Sequence, residues 1–160
     1  MSTAHSGNFE VREAVQADGA AIMSLMPRLA DFDVPASRNP EHLWKDDAEL
    51  LERWLSGDEK CLVHVAAGID GSILGFSLVR LRPELLSHEP SAHLEAIAVD
   101  KNAEGDGVAS ALLDAAEAAA REQGALSMTL HVFASNQRAR RFYDRSGYDG
   151  ELMRYIKHFG

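Results

Sequence analysis

DKNAEGDGVASALL, residues 100–113, places two glycines one residue apart ahead of small and apolar residues at helical spacing. Glycine tolerates the backbone conformations of a tight turn, and the first N–H groups of a helix have no partner within that helix. A turn of this kind between a strand and a helix therefore predicts an anion site. Glu104 and Asp106 flank the first glycine, however, and put negative charge beside that site.

Two well-known glycine loops do not fit this stretch. A dinucleotide-binding loop needs a third glycine where the chain has Ser110, and an acidic residue at the end of the following strand, which the sequence lacks. A nucleoside-triphosphate loop needs Gly-Lys-Ser/Thr, whereas Val108 follows Gly107. A turn that serves only the geometry of the chain is the structural alternative.

The composition is that of an ordinary globular chain. With 160 residues, of which 46% are hydrophobic and 26% charged, the sequence predicts one domain over residues 1–160. It has no apolar run near the ~20 residues of a membrane span and no signal-peptide pattern at its start. Because Cys61 is the single cysteine, we expect a cytoplasmic protein without an internal disulfide. The net charge of −9 argues against general binding to nucleic acid.

The hydrophobic pattern changes between strand and helix periodicity along the chain. Strands are predicted at 9–15, in two runs joined at Asp70-Gly71, at 92–99, at 126–134 and near 152–158. Helices are predicted after Asp18, at about 41–55, from the glycine turn to about Gln123, and at 136–146. A polar loop is expected at 83–90. Elements mixed in this order favour an α/β or α+β sheet with helices on its faces.

An ordered set of motifs covers residues 92–148. The strand HLEAIAVD is followed by the glycine turn, an alanine-rich helix, the strand SMTLHVFAS and the segment NQRARRFYDRSGY. This set resembles the acetyl-CoA-binding core of the GCN5-related N-acetyltransferase (GNAT) superfamily. The loop of that family has the pattern Gln/Arg-x-x-Gly-x-Gly/Ala, and here the chain has Glu104-Gly105-Asp106-Gly107-Val108-Ala109. A second family signature corresponds here to Asn136, Phe142-Tyr143 and Gly147-Tyr148.

The resemblance implies a fold and a co-substrate. The expected fold is α/β (α+β): a central mixed, mostly antiparallel sheet of six or seven strands, flanked by about four helices, with strands splayed at the acetyl-CoA site. Acetyl-CoA would place its pyrophosphate on main-chain N–H groups of the glycine loop and its pantetheine arm along the strand at 97–99. The residues implied in binding it are Ile97, Ala98, Val99, Glu104, Gly105, Asp106, Gly107, Val108, Ala109, Ser110, Asn136 and Tyr143. Glu104 departs from the family pattern, which has a neutral or cationic residue there.

Two side chains are implied in catalysis. Acetyl transfer to an amine needs a neutral amine and a proton for the departing thiolate. By resemblance to polyamine acetyltransferases, Glu95 is the general base, and in a regular strand it would share a face with Ile97 and Val99. Tyr143 is the residue implied to face the coenzyme sulfur, as a proton donor or hydrogen-bond partner. The structural alternatives are an ion-paired or hydrated carboxylate and a packed core aromatic.

Other polar residues give less specific signals. Asn136 predicts a helix N-cap and, by the resemblance, also a contact with the pantetheine arm. His93 is expected on the same face as Glu95 and is a reserve base. Arg138 begins a basic cluster that predicts a solvated helix face, with some members facing phosphate. The spacing of His, Cys, Asp and Glu predicts no metal site.

The function implied is that of an N-acetyltransferase, which moves an acetyl group from acetyl-CoA to a primary amine by direct attack in a ternary complex. The acceptor is expected to be a small-molecule or peptide amine, bound by the N-terminal helices, their junction at 31–40 and the loop at 83–90. The alternative is a catalytically weak sensor or interaction module that binds CoA or acetyl-CoA. No nucleic acid, membrane or metal is expected as a partner, and pairing through sheet edges or helices would make a homodimer.

Overall fold

Within residues 8–160, which the computed structural model describes, the chain forms a five-stranded sheet whose strands follow sequence order. The strands are β1 (Phe9–Glu13), β2 (Leu62–Gly68), β3 (Ile73–Pro83), β4 (Pro90–Val99) and β5 (Met128–Leu130). The helices are α1 (Gly19–Leu25), α2 (Lys45–Leu55), α3 (Val108–Glu122) and α4 (Gln137–Arg145). Strands β1 to β4 are antiparallel, and β5 runs parallel to β4.

The hydrophobic core lies on both faces of the sheet. On one face, Ile22 of α1 and Leu51 of α2 pack in the same cluster as Phe76 of β3. On the other face, Leu112 and Ala116 of α3 pack against the sheet. All five residues have a relative exposure of 0%, and burying a large apolar side chain stabilises the fold by roughly 1.5–3 kcal/mol.

The first turn of α3 approaches the sheet closely. A Cβ added at Gly75 of β3 would lie 2.9 Å from the carbonyl oxygen of Ala98 and 3.1 Å from side-chain atoms of both Val108 and Leu112. Contacts under about 3.0 Å are not tolerated by packed atoms, so this position requires glycine. The close approach fixes the beginning of α3 relative to β4.

A bulge in β4 sets the direction of Glu95. Leu78 of β3 is opposite Ala96, whereas Val79 is opposite Leu94, so Glu95 is an extra residue without a partner on β3. Ile97 packs on the α3 side of the sheet. Glu95 instead forms a hydrogen bond with Arg80, and its charge raises the pKa of Asp47 in α2, so it lies on the opposite side. The prediction that Glu95 shares a face with Ile97 and Val99 is therefore wrong.

The end of the chain differs from the prediction. The sheet has five strands within the described residues, not six or seven, and the predicted strand at 126–134 is regular only over Met128–Leu130. The predicted strand near 152–158 has no regular secondary structure. A strand forms only where a neighbouring strand supplies hydrogen bonds, and residues 149–160 have no such neighbour here.

Each of the two N-terminal helices adjoins a 3-10 segment that contains a proline. α1 ends at Leu25, and a 3-10 segment, Met26–Ala30, continues from it because Pro27 has no N–H to donate. The predicted helix at 41–55 is divided into a 3-10 turn, Pro40–Leu43, and α2.

Several local predictions are confirmed. β2 and β3 form a hairpin at Asp70-Gly71, where Gly71 has a φ of 85°, and the 83–90 loop joins β3 to β4. Asn136 caps α4 by accepting a hydrogen bond from the N–H of Ala139 at 3.2 Å. Across the described residues, no helix has the length and apolar character to span a membrane. The first seven residues, where a signal peptide would begin, lie outside the described part.

Candidate functional site

β4 and β5 diverge after a short paired segment. The two strands are paired only where Ala92, His93 and Leu94 meet β5. In the part of the chain that the structure describes, β4 from Glu95 to Val99 has no strand neighbour on the β5 side. This is the expected splaying of the strands, and it opens a main-chain edge beside the start of α3.

The glycine loop lies at the end of this open edge. Gly105 and Gly107 have φ values of 85° and 83°, which non-glycine residues adopt only with strain. Within residues 8–160, no acceptor is recorded for the N–H groups of Gly105, Gly107, Val108, Ala109 and Ser110. The loop lines a cavity of about 410 Å³ together with Asn8 and Phe9. Free N–H groups at a helix N-terminus beside an open cavity suit an anion.

Glu104 is held by two arginines. Arg28, in the 3-10 segment after α1, forms an ion pair with Glu104, and Nη1 of Arg138 in α4 lies 2.8 Å from Oε2. Partial desolvation would raise the pKa of Glu104, but the hydrogen bond from Arg28 and the charge of Arg138 bring it below its ordinary value. The carboxylate is therefore largely neutralised by its partners. Sequence alone gave Glu104 no counterion, because Arg28 is 76 residues away.

Arg28 also reaches the open edge of β4. Its Nε donates a hydrogen bond to the carbonyl oxygen of Val99 at 2.9 Å. Arg28, Glu104 and Arg138 thus form one chain of contacts from the segment after α1 to α4, across the end of β4. No pattern in the local sequence marked Arg28 as part of the site.

The carboxylate of Glu95 contacts arginine through one of its two oxygens. Its Oε2 accepts from Nε of Arg80 at 3.2 Å and lies 3.9 Å from Nη1 of Arg82. The side chain is 14% exposed. No partner is recorded for Oε1 among the described residues, so one oxygen is free to take a proton or hold an ammonium group.

Asp47 of α2 is a second acid near Glu95. Burial, followed by the charge of Glu95, raises the pKa of Asp47 from 3.8 to about 7. Within residues 8–160 its carboxylate has no recorded hydrogen bond or ion pair. A carboxyl group that titrates near neutral pH suits proton transfer. The sequence analysis missed Asp47, because its burial beside Glu95 is a result of tertiary packing.

A pH-dependent stability is expected from Asp47. The folded protein binds its proton more tightly than the unfolded chain, so the stabilising contribution is complete below pH ~4 and is lost as the pH rises through ~7. Asp47→Asn should therefore raise the free energy of unfolding by roughly 2–4 kcal/mol at pH 8, with a smaller gain at pH 5. Denaturant unfolding at both pH values measures the difference.

The neighbouring Asp46 provides a matched control for this experiment. It is exposed on the same first turn of α2, so Asp46→Asn removes the same charge at nearly the same distance from the helix N-terminus. We expect a small change, slightly larger at pH 8 than at pH 5, because the charge of Asp46 contributes to the raised pKa of Asp47 but less than burial does. Equal effects of the two substitutions on the free energy of unfolding would contradict the burial and the raised pKa of Asp47.

The two arginines that contact Glu95 line a groove with other titratable groups. Arg80 and Arg82 line a groove of about 900 Å³ together with Trp54 and Cys61. Burial raises the pKa of the Cys61 thiol to about 11, which favours the protonated, weakly nucleophilic thiol at neutral pH.

The predicted reserve base, His93, is buried and neutral. Burial, and then the charge of Arg82, lowers its pKa to about 4. Its Nδ1 is 2.7 Å from Oγ1 of Thr129, and its ring centroid is 4.8 Å from that of His131, with the two rings tilted by 58°. Within residues 8–160, no group of three or more His, Cys, Asp or Glu side chains is placed to hold a metal ion.

Tyr143 packs among aromatic rings, and its own hydroxyl has no protein partner in the described part of the chain. Its ring is 5.2 Å from that of Phe142 and 5.9 Å from that of Tyr148, measured between centroids. Burial raises the pKa of Tyr143 to about 12. No hydrogen bond of its hydroxyl is recorded in the described part of the chain, whereas Tyr148 donates to Glu117 at 2.6 Å. Tyr143 is therefore a protonated phenol with a donor to offer.

The start of α4 is tied to the segment after α1. Ser135, next to the N-cap Asn136, donates through its hydroxyl to the carbonyl of Asp33 at 2.7 Å, and the rings of Phe32 and Phe133 are 5.6 Å apart. Arg138 faces Glu104, and Arg140 donates to the carbonyl of Ala134. The 31–40 junction and α4 therefore form adjoining walls of the site.

Comparisons with known proteins agree with this geometry. The model of the acetyltransferase (GNAT) family matches residues 26–148. A mycothiol acetyltransferase from Propionibacterium freudenreichii subsp. shermanii is 33% identical over 105 residues, which are 66% of this chain and 29% of that protein. The chain thus spans less than a third of the curated relative it matches.

Solved structures share the fold. A Pyrococcus furiosus protein that bears the name acetyl transferase superposes with a TM-score of 0.77 at 24% identity, over 94% of this chain and 99% of that one. A ribosomal-protein-alanine N-acetyltransferase from Brucella melitensis biovar Abortus 2308 gives 0.69 at 19%, over 94% and 99%. An aminoglycoside N-acetyltransferase in complex with CoA gives 0.69 at 19%, over 96% of each chain. With its fold, its motifs and the family match over most of its length, the chain belongs to the GNAT family of acetyltransferases.

Proposed function

We propose that this acetyltransferase moves an acetyl group from acetyl-CoA to a primary amine by direct attack in a ternary complex. The observation that carries the proposal is the divergence of β4 from β5 beside the free N–H groups at the start of α3. An open strand edge and an anion-binding turn at its end match the amide-rich arm and the diphosphate of one ligand.

The co-substrate is assigned to residues along that edge. The main chain at Ile97, Ala98 and Val99 would hold the pantetheine arm. The diphosphate would bind in the loop, on the residues Glu104, Gly105, Asp106, Gly107, Val108, Ala109 and Ser110. Asn136, at the start of α4, would contact the arm with the part of its side chain that does not cap the helix.

The acceptor amine is assigned to the side of the sheet that α1 and α2 cover. Glu95 and Asp47 supply negative charge there, and Arg80 holds one oxygen of Glu95 in place. The groove beside Arg80 and Arg82 gives access to this side. The proposed acceptor is a small-molecule or peptide amine that fits in this groove.

The chemistry follows from the positions of the acids. Glu95, assisted by Asp47, takes a proton from the ammonium group and leaves a neutral amine. The nitrogen then forms a bond to the acyl carbon while the carbon–sulfur bond breaks, and the nitrogen releases its surplus proton to water to give the amide. Tyr143 donates its phenolic proton to the departing thiolate and regains one from solvent. Acetyl-CoA, when bound, supplies the activated acyl group.

Glu104→Gln is expected to tighten acetyl-CoA binding. The substitution removes a negative charge beside the diphosphate and frees Arg28 and Arg138 to face it. We expect the Kd to fall about three- to fivefold at low salt, with a smaller change at 0.5 M salt, because salt screens charges near the surface. Calorimetry at both salt concentrations measures the effect. Asp106→Asn is the matched control, and an equal or larger gain there would contradict the role given to Glu104.

A coenzyme-binding protein without turnover is the second candidate. It is favoured by the ion pair of Glu95 with Arg80, which occupies one oxygen of the proposed base. The two functions are separated by thermal unfolding with CoA and acetyl-CoA, together with thiol release across a panel of amines. A ligand at 100 times its Kd adds about 2.7 kcal/mol of stability. Stabilisation with thiol release supports the enzyme, stabilisation alone supports the sensor, and neither contradicts both.

A further inference from the structure

The groove that Arg80 and Arg82 line carries positive charge in an acidic protein. Lys60 is a third cation in its lining, and Glu59 is the one carboxylate that the described residues contribute to it. Glu59 already has a partner, since its Oε1 lies 3.3 Å from Nε of Arg53. The whole chain, in contrast, has a net charge of −9. The groove is therefore a local cationic surface, and such a surface attracts anions.

Two of these cations have donors to offer. Within residues 8–160, no hydrogen bond is recorded for the side chain of Lys60 or of Arg82, and both residues are exposed. The ion pair recorded for Arg82 joins its Nη1 to Oε2 of Glu95 at 3.9 Å, which is too long for a hydrogen bond. The guanidinium of Arg82 thus keeps its N–H donors, and arginine can bind a carboxylate or a phosphate through two parallel hydrogen bonds.

The carboxylate of Glu95 connects this cationic surface to the proposed position of the amine. Its Oε2 faces Arg80 and Arg82, whereas Oε1 has no recorded partner among the described residues. An ammonium group on Oε1 and an anion on Arg82 would extend the ion pair at both ends. Positive and negative charges would then alternate along the contacts, which lowers the electrostatic energy.

We propose that the acceptor is a primary amine that also carries an anionic group, a carboxylate or a phosphate, and that Arg82 and Lys60 bind this group. The inference rests on the proposed acetyl transfer, because it places the ammonium group on Glu95. Since Arg82 lies next to Glu95, the two charged groups of the acceptor are separated by only a few bonds. Trp54 also lines the groove and offers its ring to the carbon skeleton of the acceptor.

The same surface discriminates against other amines. A second ammonium group in the groove would meet Lys60, Arg80 and Arg82, and like charges repel. A neutral amine would escape this repulsion but would gain nothing from the cations. We therefore expect anionic amines to be the best acceptors, neutral amines to be weaker, and diamines to be the weakest.

Matched acceptors test the proposal on the full chain with acetyl-CoA. L-phenylalanine is compared with L-phenylalaninamide, which has nearly the same size and no carboxylate, and 2-aminoethyl phosphate is compared with ethanolamine. In at least one pair we expect kcat/KM, read by thiol release, to be about tenfold or more higher for the anionic member, because arginine forms charge-assisted hydrogen bonds with it. The pair that shows the difference identifies carboxylate or phosphate as the anion.

Arg82→Gln tests which residue binds the anion. We expect KM for the preferred anionic acceptor to rise about 10- to 30-fold, while kcat and the KM of its neutral counterpart change less than about threefold. Arg82→Lys keeps the charge and should recover part of the loss. Lys157→Gln removes one positive charge from an exposed residue outside the groove, and as the matched control it should change neither KM. An unchanged Kd for acetyl-CoA reports that each variant is folded.

The outcomes separate this inference from the proposed function. Thiol release with equal kcat/KM in both pairs, or with a preference for 1,4-diaminobutane, would overturn the anion site and leave the acetyltransferase intact. So would a preference for anionic amines that Arg82→Gln does not change. Without thiol release from any amine, acetyl transfer would be contradicted, and calorimetry of the anionic amines on the complex with CoA would still test the site. Binding that Arg82→Gln weakens supports it, and no binding overturns it.

Discussion

Replacing Tyr143 with phenylalanine is expected to lower kcat for acetyl transfer about 30- to 100-fold, while the Kd for acetyl-CoA changes less than about twofold. Burial keeps the Tyr143 phenol protonated at neutral pH, with a pKa of about 12, and its hydroxyl has no recorded protein partner in the described residues. The substitution removes one donor from the reaction and leaves the ring packing intact. Steady-state kinetics and calorimetry measure the two quantities separately.

Tyr148→Phe is the matched control for this result. It also removes one phenolic hydroxyl from the same aromatic group, but this hydroxyl donates to Glu117 of α3. We expect lower stability from the lost hydrogen bond and a kcat within about twofold of the original. If Tyr143→Phe left kcat unchanged, Tyr143 would be a packing residue and another group would protonate the thiolate.

Glu95→Gln is expected to lower kcat about 100-fold or more, because glutamine cannot take the proton of the ammonium group. A second effect follows from its neighbour: the charge of Glu95 raises the pKa of Asp47, so its removal lowers that pKa. The acidic limb of the pH profile of kcat should then move to lower pH. Since the charges of Glu95 and Asp47 interact, the apparent pKa values read from the pH profile of kcat belong to the pair and not to either residue alone.

Two further variants separate catalysis from charge. Asp47→Asn should remove or displace the limb near pH 7. Glu49→Gln removes one exposed carboxylate of α2 and should leave both kcat and the pH profile as they were. If Glu95→Gln kept full activity with the original profile, Glu95 would serve only to pair with Arg80.

The sequence was sufficient to predict the central part of the fold. The glycine turn, the helix after it, the hairpin at Asp70-Gly71 and the cap at Asn136 are local signals, and each appears where it was expected. They depend on the conformational freedom of glycine and on side chains that bond to nearby backbone, which a neighbouring segment cannot easily change.

The errors concern contacts between distant segments. The bulge that turns Glu95 arises from the pairing of β3 with β4, and period-two alternation cannot show where a strand gains a residue. Asp47 and Arg28 join the site only through the packing of α2 and of the 3-10 segment after α1. The final strand was predicted from residue types alone, which do not say whether a partner strand is available.

The extra residue in β4 has a consequence for comparing members of this family. It changes the phase of the strand, so residues before and after it obey opposite inside–outside rules. A homologous chain whose β4 paired without an extra residue, with its acid directly opposite the residue equivalent to Val79, would keep the glycine loop and the Asn136 signature, yet it would turn its acid towards α3 and away from any acceptor. The presence of the bulge, together with the acidic residue, should therefore separate active members from inactive ones.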